Sequence, residues 1–206
     1  MEESIYGSVR DTLPLVMEDI KSRILKYAEE EKKVTGIGLI EHMSSRIKEE
    51  ESMREKCVRK GLPVTPHTAL YELHDAIGIR IVSAFIDDVY RNVVKIREFA
   101  DCEIVEEKDY IKNAKPNGYR SFHMILKVKE PFEDVNGNNP GEFFVEIQLR
   151  TIAMDSWAAL EHKLKYKKNI RNTRLIELEL KRCADEMAST DLSMQTIRDL
   201  ILEDEE

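Results

Sequence analysis

Three polar side chains, Glu146, Gln148 and Arg150, occupy alternate positions of the segment Val145–Arg150. On a β-strand this spacing puts the three on one face and leaves the apolar residues between them on the other face. An acid, an amide and a guanidinium, three polar groups with different chemistry, would then lie side by side. The same pattern also fits an edge strand whose outer face is simply solvated.

Asp75 precedes a short, β-branched segment, residues 76–82, which we predict to be a buried strand. If this strand and the strand of Glu146 are neighbours, two carboxylates can share one Mg²⁺ ion. Mg²⁺ is bound by few protein carboxylates together with phosphate oxygens. A lone aspartate at the start of a strand is, however, more often a cap than a metal ligand.

The densest group of chemically useful side chains is the segment Lys115–His123, which reads Lys-Pro-Asn-Gly-Tyr-Arg-Ser-Phe-His. Asn117 and Gly118 favour a tight turn. Lysine and arginine suit phosphate, and Tyr119 offers a flat ring on which a base can stack. A hairpin turn that carries one core tyrosine explains the segment equally well.

A third, basic group consists of Arg46, Lys48, Lys56 and Arg59. Three glutamates at positions 49–51 lie between them, so ion pairs within a helix are the simpler explanation. The chain contains neither GxxxxGK[ST] nor GxGxxG, so phosphate would be bound by side chains and not by a glycine-rich loop. Histidine-metal chemistry at His74-Asp75 is not favoured, because no two histidines have the spacing of a zinc motif.

The net charge of −8 is unevenly distributed along the chain. Residues 108–129 carry six basic and one acidic side chains, and residues 146–174 carry seven basic and three acidic ones. Two local positive fields can therefore hold phosphates within an acidic protein.

An acidic start excludes a secretory signal peptide, and the absence of a run of 18 apolar residues excludes a membrane span. Three widely spaced cysteines favour a reducing cytoplasm.

The remaining patterns predict a single domain over residues 1–206, of the α/β (α+β) class, with a central mixed β-sheet flanked by helices. The predicted helices cover 8–33, 52–60, 87–100, 152–166 and 173–202, and the predicted strands cover 76–82, 103–109, 121–128 and 143–150. A further short element covers 40–47. Trp157 and Leu160 are expected to pack the helix over 152–166 on the sheet.

Six segments occur in the order found in the synthetase domain of the RelA/SpoT homologues, and the chain most resembles the single-domain small alarmone synthetases. The match runs over about residues 45–167, with weaker agreement in the flanking helices. The segments are Ser45–Lys48 with Ser52–Lys60, Asp75–Arg80, Lys108–Ile111, Lys115–His123, Val145–Thr151 and Met154–His162.

The resemblance implies an ATP:GTP/GDP pyrophosphotransferase with a nucleotidyltransferase-like fold, acting in the stringent response. The family moves the β,γ-pyrophosphate of ATP to the ribose 3′-hydroxyl of GDP or GTP. The products are guanosine tetra- or pentaphosphate and AMP. By similarity, Asp75 and Glu146 are catalytic residues and ligands of Mg²⁺, and Glu146 is also the general base.

The matched binding residues fall into two sets, again by similarity to the family. The residues on the ATP side are Arg46, Lys48, Ser52, Lys56, Arg59 and Arg80. The residues on the side of the acceptor nucleotide, GDP or GTP, are Lys115, Asn117, Tyr119, Ser121, His123, Gln148 and Arg150. Among these, Tyr119 matches the tyrosine that stacks on guanine.

Two alternatives stay open beside this function. A toxic relative would transfer pyrophosphate to the tRNA 3′ end or to adenosine nucleotides, with the basic run over 163–174 as its RNA contact. A solvated face explains that run as well, and the strongly acidic residues 175–206 would repel a polyanion. A non-catalytic nucleotide-binding regulator would be free to lose Asp75 or Glu146, and both are present.

Three expectations concern assembly, degradation of the product and regulation. By analogy with related single-domain members, the chain is expected to form a homotetramer. Because no hydrolase domain precedes residue 1, no alarmone degradation is expected. The segment Ile40–Ser44 lacks the Phe-x-Thr element of allosterically activated members, which argues against feedback by the product.

Overall fold

The computed structural model describes residues 4–165 and 173–204 of the chain. Its strands are β1 (His42–Ile47), β2 (Ile77–Ser83), β3 (Cys102–Asp109), β4 (Phe122–Glu130) and β5 (Gly141–Thr151). They form one sheet in the order β1-β2-β5-β4-β3, in which β2 and β5 run parallel and the other neighbours run antiparallel. The predicted mixed sheet is confirmed. Since β5 is an interior strand, the explanation of Glu146, Gln148 and Arg150 as the wet face of an edge strand is wrong.

The helices are α1 (Leu13–Thr35), α2 (Glu50–Lys60), α3 (Ile86–Arg97), α4 (Ile152–Lys165) and α5 (Thr173–Glu203). A short 3₁₀ turn over Gly7–Val9 precedes α1, and a π-helical turn over Thr68–Glu72 precedes β2. The helix predicted over 8–33 therefore begins only at Leu13. Pro14 lies in its first turn, where a residue without an N–H group is tolerated.

One face of the sheet is covered by α1 and α3. Apolar side chains that recur every three or four residues in these helices are buried, among them Val16, Ile20 and Ile24 of α1 and Val89, Val93 and Ile96 of α3. They pack against the inward positions of β2 and β5, such as Ile79 and Ile147. The polar side chains of the same strands are thereby directed to the opposite, more open face.

The C-terminal helices pack mainly against each other. Trp157 is buried as expected, and its indole N–H donates a hydrogen bond to the carbonyl of Leu180 in α5, 2.9 Å away. Leu160, in contrast, is 54% exposed, so the prediction that it packs α4 on the sheet is wrong. The apolar period correctly marked an apolar face, but α5 covers only part of it.

Polar contacts anchor α5 to the rest of the fold. Arg198 donates two hydrogen bonds of 2.8 Å to the fully buried carboxylate of Asp88 in α3. Thr151, at the end of β5, donates a 2.6 Å hydrogen bond to Asp191. No helix among the described residues is long and apolar enough to cross a membrane.

Gly118 lies where the turn before β4 meets α5, and it has a φ of +91°. A Cβ at this position would lie 2.5 Å from the Cβ of Ala184. We expect Gly118→Ala to lower the free energy of unfolding by about 2–4 kcal/mol, because backbone strain and overpacking act together. Urea denaturation measures the loss.

Gly137→Ala is the matched control for that prediction. Gly137 has a similar φ of +82°, but no atom lies within 4 Å of a Cβ built there. The free energy of unfolding lost in Gly137→Ala should therefore reflect backbone strain alone and be smaller than the loss in Gly118→Ala. Equal losses of stability in the two variants would show that the contact with Ala184 is harmless. Ala184→Gly, added to Gly118→Ala, should recover only the part of the lost stability that is due to the contact.

Candidate functional site

The register of the sheet aligns polar residues in two rows on the open face. One row runs through Lys108, His123, Gln148, Arg80 and Ser44, and the next runs through Ile125, Glu146, Gly78 and Arg46. Directly opposed residues point to the same face, so each row forms one continuous strip. Glycine at position 78 leaves open space beside Glu146. The result is a cleft of about 240 Å³, lined by both predicted carboxylates, Asp75 and Glu146.

Glu146 is held by two neighbours in the cleft. His123 Nδ1 lies 3.3 Å from Oε1, and the amide of Gln148 donates a 3.0 Å hydrogen bond to Oε2. Burial and the nearby charge of Asp75 raise the pKa of Glu146, but the hydrogen bond and electrostatic attraction of His123 and the hydrogen bond from Gln148 outweigh them, so its pKa lies below the ordinary value. Glu146 is consequently an ionised, oriented carboxylate.

Asp75 is fixed by a short turn before β2, in which its N–H donates to the carbonyl of Leu73 over 2.7 Å. Its Oδ2 forms ion pairs with the ammonium groups of two lysines, at 3.0 Å from Lys48 Nζ and 2.6 Å from Lys56 Nζ. Burial raises the pKa of Asp75, but these lysines outweigh the effect and hold it below the ordinary value. Ion pairing within the helix is therefore the wrong explanation for Lys48 and Lys56.

The carboxylates of Asp75 and Glu146 fit a magnesium ion. Oδ1 of Asp75 is buried and has no hydrogen-bond partner, which is costly unless a ligand completes it. Two carboxylates with room for phosphate oxygens and water match the ligands of Mg²⁺. Within the described ranges no three His, Cys, Asp or Glu side chains form a metal cluster. His74, the histidine that precedes Asp75 in the sequence, packs as an aromatic ring and stacks on Phe144, with ring centroids 4.0 Å apart.

The basic residues predicted for ATP lie on two sides of Asp75. Arg46 and Arg80 line the cleft, and the buried Nε of Arg80 has no hydrogen-bond partner. Ser52, Lys56 and Arg59 follow one face of α2 at helical spacing. Of these three, Lys56 reaches Asp75, whereas Ser52 and Arg59 are exposed and do not line the cleft.

The residues predicted for the acceptor nucleotide begin with the turn before β4. Lys115 Nζ lies 4.9 Å from the ring centroid of Tyr119. Asn117 accepts the N–H of Tyr119 and donates to Glu161 of α4, so it stabilises the turn. Tyr119 Oη lies 2.7 Å from His123 Nε2, which extends the contacts of the turn to the pair formed by His123 and Glu146.

Two residues of that predicted set are buried within the protein. Ser121 donates to the carbonyl of Leu149. Arg150 contacts Ser121, Tyr119, Gln148 and Asp155 through its guanidinium group. Both lie beneath the site and contact other residues of the chain.

Sequence reasoning missed two residues that join the parts of this site. Asp155 Oδ1 contacts the guanidinium of Arg150 at 2.9 Å and that of Arg80 at 3.3 Å, so it links the two sides of the cleft. The ring of Tyr110 packs edge-on against His123, with centroids 5.4 Å apart. Both residues lie within segments that match the RelA/SpoT synthetase domain, and this match was the signal by which the sequence could have identified them.

The predicted RNA contact lies largely outside the described residues. The basic run over 163–174 includes 166–172, for which no placement is described. Its interpretation as an RNA contact or as a solvated face therefore stays a prediction.

Comparisons with known proteins agree on one family. Residues 45–171 match the region found in RelA / SpoT proteins. The chain is 40% identical over 190 residues to GTP pyrophosphokinase YwaC of Bacillus subtilis, covering 85% of this chain and 88% of that relative. Small alarmone synthetase 1 of B. subtilis bound to its product pppGpp superposes with a TM-score of 0.80 at 30% identity, over 92% and 94% of the chains. The same synthetase bound to AMPCPP gives 0.72 at 28% identity, over 93% and 94%.

Proposed function

Because the chain belongs to the RelA/SpoT family, we propose that it is a GTP pyrophosphokinase. It transfers the β,γ-pyrophosphate of ATP to the 3′-hydroxyl of GDP or GTP, makes guanosine tetra- or pentaphosphate, and releases AMP. The observation that carries the proposal is the pair of carboxylates, Asp75 and Glu146, in one cleft between basic residues and the ring of Tyr119. The pppGpp and AMPCPP complexes of the structural relative agree with these two substrates.

The chemistry of phosphoryl transfer explains this composition. Its transition state needs positioned reactants and neutralised charge more than it needs covalent help from the protein. Asp75 and Glu146 would hold Mg²⁺, and the ion would supply positive charge that neutralises the phosphates. Arg46 and Arg80 bind ATP from the floor of the cleft, and the lysines beside Asp75 lie close enough to bind its phosphates.

On the acceptor side, the side chains orient the nucleoside. Tyr119 stacks on guanine, with Lys115 and Asn117 beside it, while His123 and Gln148 lie next to Glu146. Glu146 takes the proton from the 3′-hydroxyl as general base, because its ionised carboxylate is the proton acceptor at this end of the cleft. The hydroxyl oxygen then attacks the β-phosphorus of ATP, the bond from that phosphorus to the α,β-bridging oxygen breaks, and AMP leaves with that oxygen.

We also propose that the chain assembles as a homotetramer in the cytoplasm. Large apolar side chains stay exposed along α4 and α5, including Leu160, Leu175 and Leu178. Burying such a stripe between subunits removes apolar surface from water. Light scattering should give a mass of about four times the 24.0 kDa chain.

The three free cysteines support the proposed cytoplasmic location, because free thiols fit a reducing compartment.

An acceptor assay tests the proposed function. The protein is incubated with γ-labelled ATP, Mg²⁺ and, in separate reactions, GMP, GDP, GTP, ATP or tRNA. We expect label in a guanosine 3′-pyrophosphate, with AMP formed in equal amount. Label in tRNA or in adenosine nucleotides alone would instead support the toxic relatives. No AMP with any acceptor would leave a nucleotide-binding regulator.

A further inference from the structure

Arg150 is only 5% exposed and its guanidinium contacts four side chains at once. It donates to Ser121 Oγ at 3.4 Å, Asp155 Oδ1 at 2.9 Å, Tyr119 Oη at 2.8 Å and Gln148 Oε1 at 3.1 Å. A guanidinium has donors only. Each of these four oxygens therefore accepts, and this constrains the hydrogen bonds that continue from Tyr119 and from Gln148.

The chain through Tyr119 leads to a defined form of His123. Arg150 can only donate to the Tyr119 hydroxyl, so of its two contacts named here the one that can accept the hydroxyl hydrogen is His123 Nε2, 2.7 Å away. In this arrangement Nε2 is the acceptor of the tyrosine hydrogen, and the ring carries its own hydrogen on Nδ1. Nδ1 is the atom that lies 3.3 Å from Glu146 Oε1, so His123 donates to Glu146.

The chain through Gln148 leads to the other oxygen of the same carboxylate. The Gln148 carbonyl oxygen accepts from Arg150, so its amide nitrogen faces Glu146 Oε2 at 3.0 Å. The flipped amide would place a donor against the guanidinium and an acceptor against the carboxylate. Both contacts would be repulsive, so Arg150 fixes this orientation as well.

We propose that Arg150 is a positioning residue, which directs both hydrogen bonds that orient the carboxylate of Glu146. The proposal rests on the proposed role of Glu146 as general base, and it differs from a role in binding the acceptor nucleotide. Arg150 acts through Tyr119 with His123 and through Gln148, from beneath the cleft. It therefore affects the rate of transfer and leaves the affinity for GDP or GTP nearly unchanged.

Nitrogen NMR of ¹⁵N-labelled histidine in the ligand-free protein tests the first half of this proposal. We expect the His123 ring to carry its hydrogen on Nδ1 with Nε2 as an acceptor, and Arg150→Lys to move the hydrogen wholly or partly to Nε2. A lysine keeps the charge beside Asp155 but lacks the planar fork that reaches both chains. An Nε2–H or doubly protonated ring in the unchanged protein, or no change in the variant, overturns the proposal.

Steady-state kinetics test the second half. Arg150→Lys should lower kcat about 10- to 100-fold and change the KM for the acceptor by less than about threefold. A raised KM with an unchanged kcat would mean that Arg150 binds the nucleotide directly. If Arg150→Lys does not fold, Tyr119→Phe deletes only the connecting hydroxyl, keeps the ring, and should produce the same change at His123.

Arg198→Lys is the matched control. Arg198 also forms a two-bond contact with a buried carboxylate, that of Asp88, but it lies between α5 and α3. Arg198→Lys should lower stability without moving the hydrogen on His123 or lowering kcat. If Arg198→Lys changed both the His123 hydrogen and kcat, Arg150 would be shown to act only through stability. The NMR result is independent of turnover, so failure of the proposed function, seen as no transfer by the unchanged protein, is distinguished from failure of this inference.

Discussion

Glu146→Gln should reduce pyrophosphate transfer about 10³-fold or more, while ATP and the acceptor nucleotide still bind. Glutamine has nearly the same shape but cannot take the proton of the 3′-hydroxyl. A general base alone contributes about 10²- to 10⁴-fold, and loss of one charged magnesium ligand adds to that. The variant also presents a neutral amide to His123 and Gln148, which stabilise the ionised carboxylate in the unchanged protein.

The measurement separates binding from chemistry. Calorimetry with a non-hydrolysable ATP analogue and with GDP reports binding, and label transfer in a single turnover reports chemistry. Glu142→Gln is the matched control, because Glu142 is also a half-buried glutamate of β5 and contacts Tyr71 and Lys127. It should keep activity within about twofold. Full activity in Glu146→Gln would refute the assigned base.

Local spacing was enough to predict the faces of the strands. The alternation around Glu146 correctly placed Gln148 on the same face and Ile147 in the core, because the side-chain period of a strand is a local property. The helix over α2 and the position of Asp75 before β2 follow from similarly local signals. These parts of the fold and site were predictable without any knowledge of neighbouring elements.

Contacts between distant segments were not predictable in the same way. Lys48 and Lys56 have glutamates nearby in sequence, yet both bind Asp75. Lys48 does so because its N–H donates to the carbonyl of Ala76, and Lys56 because α2 packs against the turn over Thr68–Glu72. Leu160 follows the helical apolar period, but a period shows only that a face is apolar and not what covers it. For Arg150, alternation gives the face of β5, whereas its burial depends on where α4 places Asp155.

The two lysines on Asp75 have a consequence for metal binding. Their ammonium groups occupy Oδ2, so a divalent cation approaching the protein without nucleotide meets two positive charges. We expect Mn²⁺, used as a paramagnetic probe in place of Mg²⁺, to bind weakly to the free protein and more tightly when a non-hydrolysable ATP analogue is present. The phosphates give the lysines another partner and supply further oxygen ligands.

Asp75→Asn should reduce transfer about 10³-fold and remove the increase in Mn²⁺ affinity that the ATP analogue produces, because the amide lacks the charge that a cation needs. Lys56→Met should raise the affinity of the free protein for Mn²⁺, since one competing charge is gone, whereas Lys60→Met on the exposed end of α2 should not. Titrations followed by electron paramagnetic resonance measure all three. Equal Mn²⁺ affinity in Asp75→Asn and the unchanged protein would exclude Asp75 as a ligand. A Lys56→Met variant with unaltered affinity would mean that the lysines give way without cost, so that nucleotide and metal bind independently.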